Sequence, residues 1–265
     1  MVATHIISTL FGCCCTSQLS ATTSYTSRSS CRLTSFRRLR TRQFSSAVVR
    51  PHFFVLVYVD DLVFATLDRR TLASVKEELQ RRHTCTDLRE LQRYLGLQIT
   101  RGRAARTITL SQSHMVEQIL TRFRFPFYKV QLTPIAMDHG LTTPDSDEPF
   151  ETSGPYPELV GCLMHLMSCT LPDLAYPLSI LARFVAPGRY RPFHLYAAKR
   201  VAKYVKSTSG MGLVLGGKQP VTLIGYSGSS LADDAESLRS IQSYCFSLGT
   251  GAVSWSSTRA SSVSN

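Results

Sequence analysis

Residues 53–66 read Phe-Phe-Val-Leu-Val-Tyr-Val-Asp-Asp-Leu-Val-Phe-Ala-Thr, two apolar runs around a pair of aspartates. β-Branched and aromatic residues dominate both runs, which is typical of buried strands. The stretch therefore predicts a β-hairpin with Asp60 and Asp61 at its bend. Adjacent carboxylates repel each other, and a bound divalent cation relieves that repulsion. Oxygen ligands suit Mg²⁺, so a metal site is one interpretation. A solvated turn that carries two acids is the other.

The chain after this hairpin alternates helical and strand patterns. Helices are predicted at 71–82, 114–123, 157–170, 173–185 and 192–206, and strands at 94–100, 107–110, 212–215, 221–226, 243–248 and 252–255. This order predicts an α+β fold, with a domain boundary near residue 210. The helix over 192–206 is amphipathic. Its apolar face is predicted to include Phe193, Ala197, Val201 and Tyr204, with Lys199, Arg200, Lys203 and Lys206 elsewhere.

Charge is the main compositional signal. The 265 residues carry 30 Lys and Arg against 18 Asp and Glu, a formal charge of +12. Such an excess favours a polyanionic partner, nucleic acid first and an anionic membrane surface second. No stretch is long and apolar enough to predict a membrane-spanning helix. Eight cysteines are too sparse for a disulfide scaffold, so an intracellular location, cytoplasm or nucleus, is expected.

The N-terminal segment has a different composition. Residues 1–59 contain seven arginines and no acid, and 18 of the first 50 residues are Ser or Thr. Neither a helical nor a strand period persists, so we predict a disordered Arg/Ser-rich segment over 1–52. A basic tail, a mitochondrial transit peptide and an out-of-frame translation all fit this composition.

Tyr58-Val59-Asp60-Asp61 resembles the catalytic hairpin of reverse transcriptases. Further motifs follow in the order found in the copia-type retrotransposon polyprotein, so the resemblance covers about residues 53–265. They lie at 87–91 with 94–97, 110–112, Thr133-Pro134 with Met137, 156–166, 172–176, 197–201 with 204–206, 225–227 and 252–255. The resemblance implies a partial polymerase palm hairpin with a helical thumb and connection over 53–210. An incomplete ribonuclease H-like β segment over 211–265 would follow.

The same resemblance implies roles for individual residues. Asp60 and Asp61 would be catalytic ligands of Mg²⁺, and Tyr58 would border the nucleotide and the primer terminus. Leu95, Gly96 and Leu97 would lie in a hairpin that grips the primer. The basic residues of the 192–206 helix could contact the phosphates of an RNA or DNA template–primer, and a solvated helix face is the alternative. These residues are Lys199, Arg200, Lys203 and Lys206.

Several features depart from the family pattern. Such polymerases need a third carboxylate from an earlier strand, yet no Asp or Glu precedes Asp60, and residues 1–52 do not resemble the nucleotide-binding fingers. In the ribonuclease H-like segment, Gly228 and Ser230 occupy positions where the family has acids. Asp233 and Asp234 come later, and Asn265 precedes the expected second catalytic carboxylate.

The sequence therefore predicts a catalytically incomplete reverse transcriptase remnant. Three alternatives remain open at this point. The chain could be an RNA-directed DNA polymerase completed by another chain, a non-enzymatic basic protein that binds nucleic acid, or a gene-model product without function.

Overall fold

The computed structural model describes the backbone strands at 2–8, 37–40 and 45–50. It describes in full residues 53–124, 131–136, 139–142, 154–231, 234 and 237–262. These residues fall into two compact units, 1–92 and 93–265. The predicted boundaries at residues 52 and 210 differ from this division. Strands that precede residue 52 pair with the predicted hairpin, and residues 213–216 pair with the strand at 107–111.

A six-stranded sheet forms the first unit. Its strands are β1 (Val2–Ser8), β2 (Arg37–Arg40), β3 (Ser45–Arg50), β4 (Phe53–Tyr58), β5 (Asp61–Thr66) and β6 (Cys85–Glu90), in the order β2-β3-β4-β5-β1-β6. We predicted no regular structure for residues 1–52, and three of these strands differ from that prediction. The physical reason is that an isolated hairpin has two open edges. Strands β3 and β1 pair with those edges and satisfy their backbone groups.

One helix, α1 (Arg69–Arg82), covers one face of this hairpin. Asp68 caps its N-terminus, where a side-chain oxygen accepts hydrogen bonds from the backbone N–H groups of Arg70 and Thr71. Leu72 is buried against Phe53 and Phe64, and Val75 and Leu79 pack beside them. The helical spacing of these three residues in the sequence predicts such an apolar face, and the structure confirms it.

The second unit has one helical core. Its helices are α2 (Ser113–Arg122), α3 (Tyr156–Cys169), α4 (Ala175–Leu181) and α5 (Pro192–Ser207). The helix predicted at 173–185 is shorter than expected, because 3₁₀ turns at Pro172–Leu174 and Ala182–Phe184 flank α4. Leu159, Leu163 and Val201 are fully buried between these helices.

The inward face of α5 differs from the prediction. Phe193 is 37% exposed, whereas its neighbour His194 is fully buried. Val201 is buried as predicted, and the other two residues of the predicted face are partly buried. The helix start explains this difference. The Nδ1 atom of His194 accepts a hydrogen bond from the backbone N–H of Arg191, which directs the imidazole inward.

Two antiparallel sheets complete the second unit. One has the order β10-β9-β8-β7, and the other runs β11-β12-β13. These strands are β7 (Arg93–Tyr94), β8 (Leu97–Gly102), β9 (Thr107–Ser111), β10 (Leu213–Gly216), β11 (Leu223–Ser230), β12 (Ile241–Leu248) and β13 (Gly251–Arg259). The described helices and sheets form a mixed α/β protein. Within the described ranges, no helix has the length and apolar character needed to cross a membrane.

Candidate functional site

The turn between β4 and β5 has strained geometry. Tyr58 pairs with Asp61, so Val59 and Asp60 are its two central residues. Val59 has a positive φ of 48°, and Asp60 does not. This is the pattern of a type II′ turn, whose first position usually holds glycine. A β-branched residue there costs about 1–3 kcal/mol in backbone strain. Strain of this kind is concentrated at functional sites. Val59 is the β-branched residue among the six described non-glycine residues with positive φ.

The hairpin presents Asp61 on the face away from α1. Paired residues Val55 and Phe64 face the helix core, and side chains alternate along each strand. The pair Tyr58 and Asp61 therefore lies on the opposite face. Asp61 is partly buried and Asp60 is exposed at the turn. Helix α1 thus supports the hairpin from behind without covering the acids.

These two carboxylates fit a magnesium ion only in part. Mg²⁺ is commonly bound through one or two carboxylates together with substrate phosphates, and Asp60 and Asp61 supply such oxygen ligands. Among the residues that the structure describes, no group of three or more His, Cys, Asp or Glu is placed to hold a metal ion. A complete site would therefore need ligands beyond this pair.

The predicted primer-gripping residues form a tight turn in the second unit. Leu95 and Gly96 connect β7 to β8, and both have positive φ, 48° and 80°. Positive values at both positions are the pattern of a type I′ hairpin turn. A Cβ atom added to Gly96 would lie 3.9 Å from Nε2 of His165, so the turn lies beside α3. Leu97 begins β8 and is partly buried. The predicted hairpin is present, whereas the acid pair belongs to the first unit.

Basic side chains occupy the outer side of α5. Lys199, Lys203 and Lys206 recur at a spacing that places them on one face of the helix. Lys206 is exposed and the other two are partly exposed. Arg200 is used differently, because its Nη2 donates a hydrogen bond to Oγ1 of Thr133 at 2.8 Å. The three lysines therefore share the outer face of α5, whereas Arg200 contacts a neighbouring segment of the chain.

Sequence reasoning missed one aromatic residue on this face. Tyr196 is 70% exposed, and Nζ of Lys199 lies 5.8 Å from the centroid of its ring. An exposed aromatic ring beside lysines is the combination that holds bases and phosphates together. The signal was available, since Tyr196 precedes Lys199 by three residues and so shares its helix face.

The β11–β13 sheet lacks acids at the two positions where the family resemblance predicts them. Gly228 is exposed on β11, and a Cβ atom there would meet only Oγ of Ser243, at 3.5 Å. An acidic side chain would therefore fit, so packing does not require the glycine. Ser230 is the last residue of β11. Asp233, like Met137 of an earlier motif, lies outside the described residues.

Asp234 is held by arginines. Its carboxylate accepts hydrogen bonds from Nη1 of Arg183, Nη1 of Arg259 and the hydroxyl of Ser237, with the Arg259 bond at 2.7 Å. Burial by itself would raise the pKa of Asp234, but these hydrogen bonds and the charge of Arg183 lower it to about 2. A carboxylate with both oxygens on guanidinium groups is a structural anion.

Comparison with known proteins agrees with the motifs. Residues 31–137 match the family described as "Reverse transcriptase (RNA-dependent DNA polymerase)". The chain is 34% identical over 209 residues to the Retrovirus-related Pol polyprotein from transposon TNT 1-94 of Nicotiana tabacum, which covers 77% of the chain and 15% of the polyprotein. It is 29% identical over 210 residues to the Putative transposon Ty5-1 protein of Saccharomyces cerevisiae, which covers 79% of the chain and 67% of that protein. It is also 40% identical over 109 residues to the Secreted RxLR effector protein 161 of Plasmopara viticola, which covers 41% of the chain and 75% of that protein.

Proposed function

The chain belongs to the reverse transcriptase family of copia-type retrotransposons, and from this premise we propose that it binds an RNA or DNA template–primer and retains part of a two-metal polymerase site. The observation that carries the proposal is the strained β4–β5 turn, with Asp60 at its tip and Asp61 beside it. The chain spans 15% of the tobacco polyprotein's length, so the activity of a whole polyprotein is not assigned to it.

Asp60 and Asp61 would hold Mg²⁺ through their carboxylate oxygens. Bound Mg²⁺ would stabilise the attacking and leaving oxygens in nucleotidyl transfer. Tyr58 pairs with Asp61 and shares its face of the hairpin. This position supports the proposal that its ring contacts a nucleotide or a primer terminus near the acids. Leu95, Gly96 and Leu97 would support the primer strand from their own tight turn.

This chain by itself would not extend a primer. Two-metal catalysis needs carboxylates that clamp both ions, and two adjacent aspartates are too few for that geometry. Residues 1–59 contain no acid, so a third ligand would have to come from later in the sequence or from another polypeptide.

Helix α5 would contact the template–primer. Lys199, Lys203 and Lys206 would neutralise phosphates, and Tyr196 would stack on a base or pack along a sugar. Arg200 would hold the neighbouring segment through Thr133. Each phosphate contact releases counterions, so affinity should fall steeply with salt.

The β11–β13 sheet would not act as a nuclease. Gly228 has no side chain that could bind a metal, and Asp234 is bound by Arg183 and Arg259. This sheet therefore has no part in the proposed polymerase function.

Primer extension tests the polymerase part of the proposal. The chain and an Asp60→Asn/Asp61→Asn double variant are incubated with a homopolymer RNA template, a primer and Mg²⁺ or Mn²⁺. Neither should extend the primer. Mn²⁺ binding in the presence of template–primer and nucleotide, followed by electron paramagnetic resonance, should be weaker in the double variant. Extension by the unaltered chain that disappears in the variant would overturn the proposed incompleteness. Equal Mn²⁺ binding by both proteins would remove the acids' proposed role.

Salt-dependent binding tests the nucleic-acid interface. Affinity for an RNA–DNA duplex is measured over a salt series for the unaltered chain, for Lys199→Ala/Lys203→Ala, and for the control Lys218→Ala, an exposed lysine outside α5. Loss of two phosphate contacts should reduce the slope of log affinity against log salt by about 2. The control should leave the slope nearly unchanged. An unchanged slope in the double variant would show that α5 does not contact the phosphates.

A further inference from the structure

A cleft in the second unit has no part in the proposed polymerase function. It lies between the helices α3 and α4 and the strand β13, and its volume is about 720 Å³. Pockets for small organic ligands commonly range from about 300 to 1,000 Å³. The cleft is therefore large enough for a compact molecule such as a single nucleotide.

The walls of the cleft combine an aromatic ring with flexible apolar side chains. Trp255 lines one side, and its Nε1 donates a hydrogen bond to the carbonyl oxygen of Met167 at 3.0 Å, which fixes the ring. Met164, Met167 and Leu178 line the helical side. A planar, weakly polar group such as a nucleobase would pack well against an indole ring and methionine side chains.

The end of the cleft near Asp234 carries an excess positive charge. Arg183 and Arg259 both line the cleft, and both bind Asp234 through Nη1. Two guanidinium groups against one carboxylate leave one positive charge in excess among these described side chains. Among the described residues that line the cleft, none is acidic. An anionic group at this end would be attracted by that charge, and arginine suits phosphate oxygens well.

A buried hydroxyl between these two parts lacks a partner. Ser257 lines the cleft and is 9% exposed, and its Oγ makes no hydrogen bond to any residue that the structure describes. Two other serines of the lining differ, because Ser168 and Ser179 donate to carbonyl oxygens of their own helices. An unsatisfied buried hydroxyl is unfavourable, and a ligand oxygen would satisfy it.

We propose that this cleft binds a nucleoside monophosphate unit, with the base against Trp255 and the phosphate at Arg183 and Arg259. Rotation of the Ser257 side chain toward the cleft lets its hydroxyl donate to an oxygen of the phosphate or the sugar. The unit is either a free nucleotide or the terminal nucleotide of a single strand, because both present the same chemistry. The site does not involve Asp60 or Asp61, so it stands independently of the polymerase proposal.

The chain provides its own probe, because Trp255 is its single tryptophan. Fluorescence of the full chain, excited where tyrosine does not absorb, is titrated with AMP, adenosine, inorganic phosphate and a short oligo(dA). We expect saturable quenching by AMP and much weaker binding of adenosine and of phosphate. Saturation by AMP identifies a free nucleotide as a ligand, and saturation by the oligonucleotide alone identifies a strand end. Saturation by neither, or equal affinity for phosphate and AMP, would overturn the proposal.

Substitutions test which residues contribute to AMP binding. Arg259→Gln should weaken AMP binding about tenfold or more, because a charged hydrogen bond is lost. Ser257→Ala should weaken it about fivefold, since one neutral hydrogen bond is removed. Arg259→Lys retains a cation beside Asp234 and separates a loss of binding from a loss of folding. The controls Arg189→Gln and Ser243→Ala, exposed positions of the same unit outside the cleft, should bind as the unaltered chain does. The assignment would be contradicted if the Ser257 and Arg259 variants bound AMP with the same affinity as the unaltered chain.

Discussion

The two units treat their polar groups in opposite ways. The first displays Asp60 and Asp61 at a strained turn, supported by a small core around Phe53, Phe64 and Leu72. The second buries His194 in a large helical core and encloses Asp234 between two arginines. An acid in a catalytic motif is thus useful only where its oxygens can reach a ligand. The same residue type becomes a structural anion once guanidinium groups surround it.

The largest expected effect concerns the difference in core size. Leu163→Ala should lower the free energy of unfolding of the second unit by about 4 kcal/mol, because the closely packed helices cannot close the cavity. Leu72→Ala in the first unit should lower it by about 2 kcal/mol, since fewer buried neighbours surround that position. Trp255 fluorescence during urea unfolding reports on the second unit. Hydrogen exchange of the β4 and β5 amides reports on the first. Equal losses would show that the two cores are equivalent.

The next largest effect is a pH dependence of the second unit. Burial lowers the pKa of His194 to about 4 from its ordinary 6.5, and the charge of Arg191 acts in the same direction. The unfolded chain therefore binds one more proton than the folded chain between these values. Stability should fall by about 3 kcal/mol as the pH drops from 6.5 to 4.

The control for this pH dependence is His194→Gln. Glutamine does not titrate, and its side-chain oxygen can still accept the hydrogen bond from the N–H of Arg191. Urea unfolding followed by Trp255 fluorescence at several pH values should give a flatter profile for this variant. A profile as steep as that of the unaltered chain would assign the effect to another group.

A smaller effect separates the two kinds of aspartate. Asp234→Asn should destabilise the second unit by about 2 kcal/mol at neutral pH, because Arg183 and Arg259 lose their shared anion. The matched change Asp60→Asn, at an exposed turn, should alter stability by about 0.5 kcal/mol or less.

Because the pKa of Asp234 is lowered from 3.8 to about 2, its stabilisation is present above pH 3.8 and is lost as the pH falls through 2. Unfolding of the two variants at pH 7 and pH 3 measures this, and equal losses for both would contradict the distinction.

The smallest effect tests the strained turn. Val59→Gly should raise the stability of the first unit by about 0.5 kcal/mol. Glycine adopts a positive φ without strain, and this gain exceeds the cost of the extra chain entropy that glycine loses on folding. Val57→Gly, two residues earlier within β4, is the control and should destabilise the hairpin. Protection of the β4 and β5 amides from hydrogen exchange measures both. A loss in Val59→Gly as large as that in Val57→Gly would show that the turn stores no strain.

The elements were largely predictable, because each follows from a local pattern. Continuous runs of β-branched and aromatic residues predicted β4 and β5, and the helical spacing of Leu72, Val75 and Leu79 predicted α1. The unit boundary was not predictable, since it depends on which strands pair over long distances. Strand β10 joins β9 across more than a hundred residues, and strands before residue 52 pair with the hairpin despite their weak pattern.

The sequence by itself determined the family, the mixed helix and strand content, and the position of the acid pair. Each depends on residues that are close together in the chain. Only the tertiary structure decided that Tyr58 and Asp61 share the face away from α1, that Asp234 lies between Arg183 and Arg259, and that Trp255 and Ser257 line one cleft. Those relations join distant residues, and strand register and burial in the folded chain bring them together.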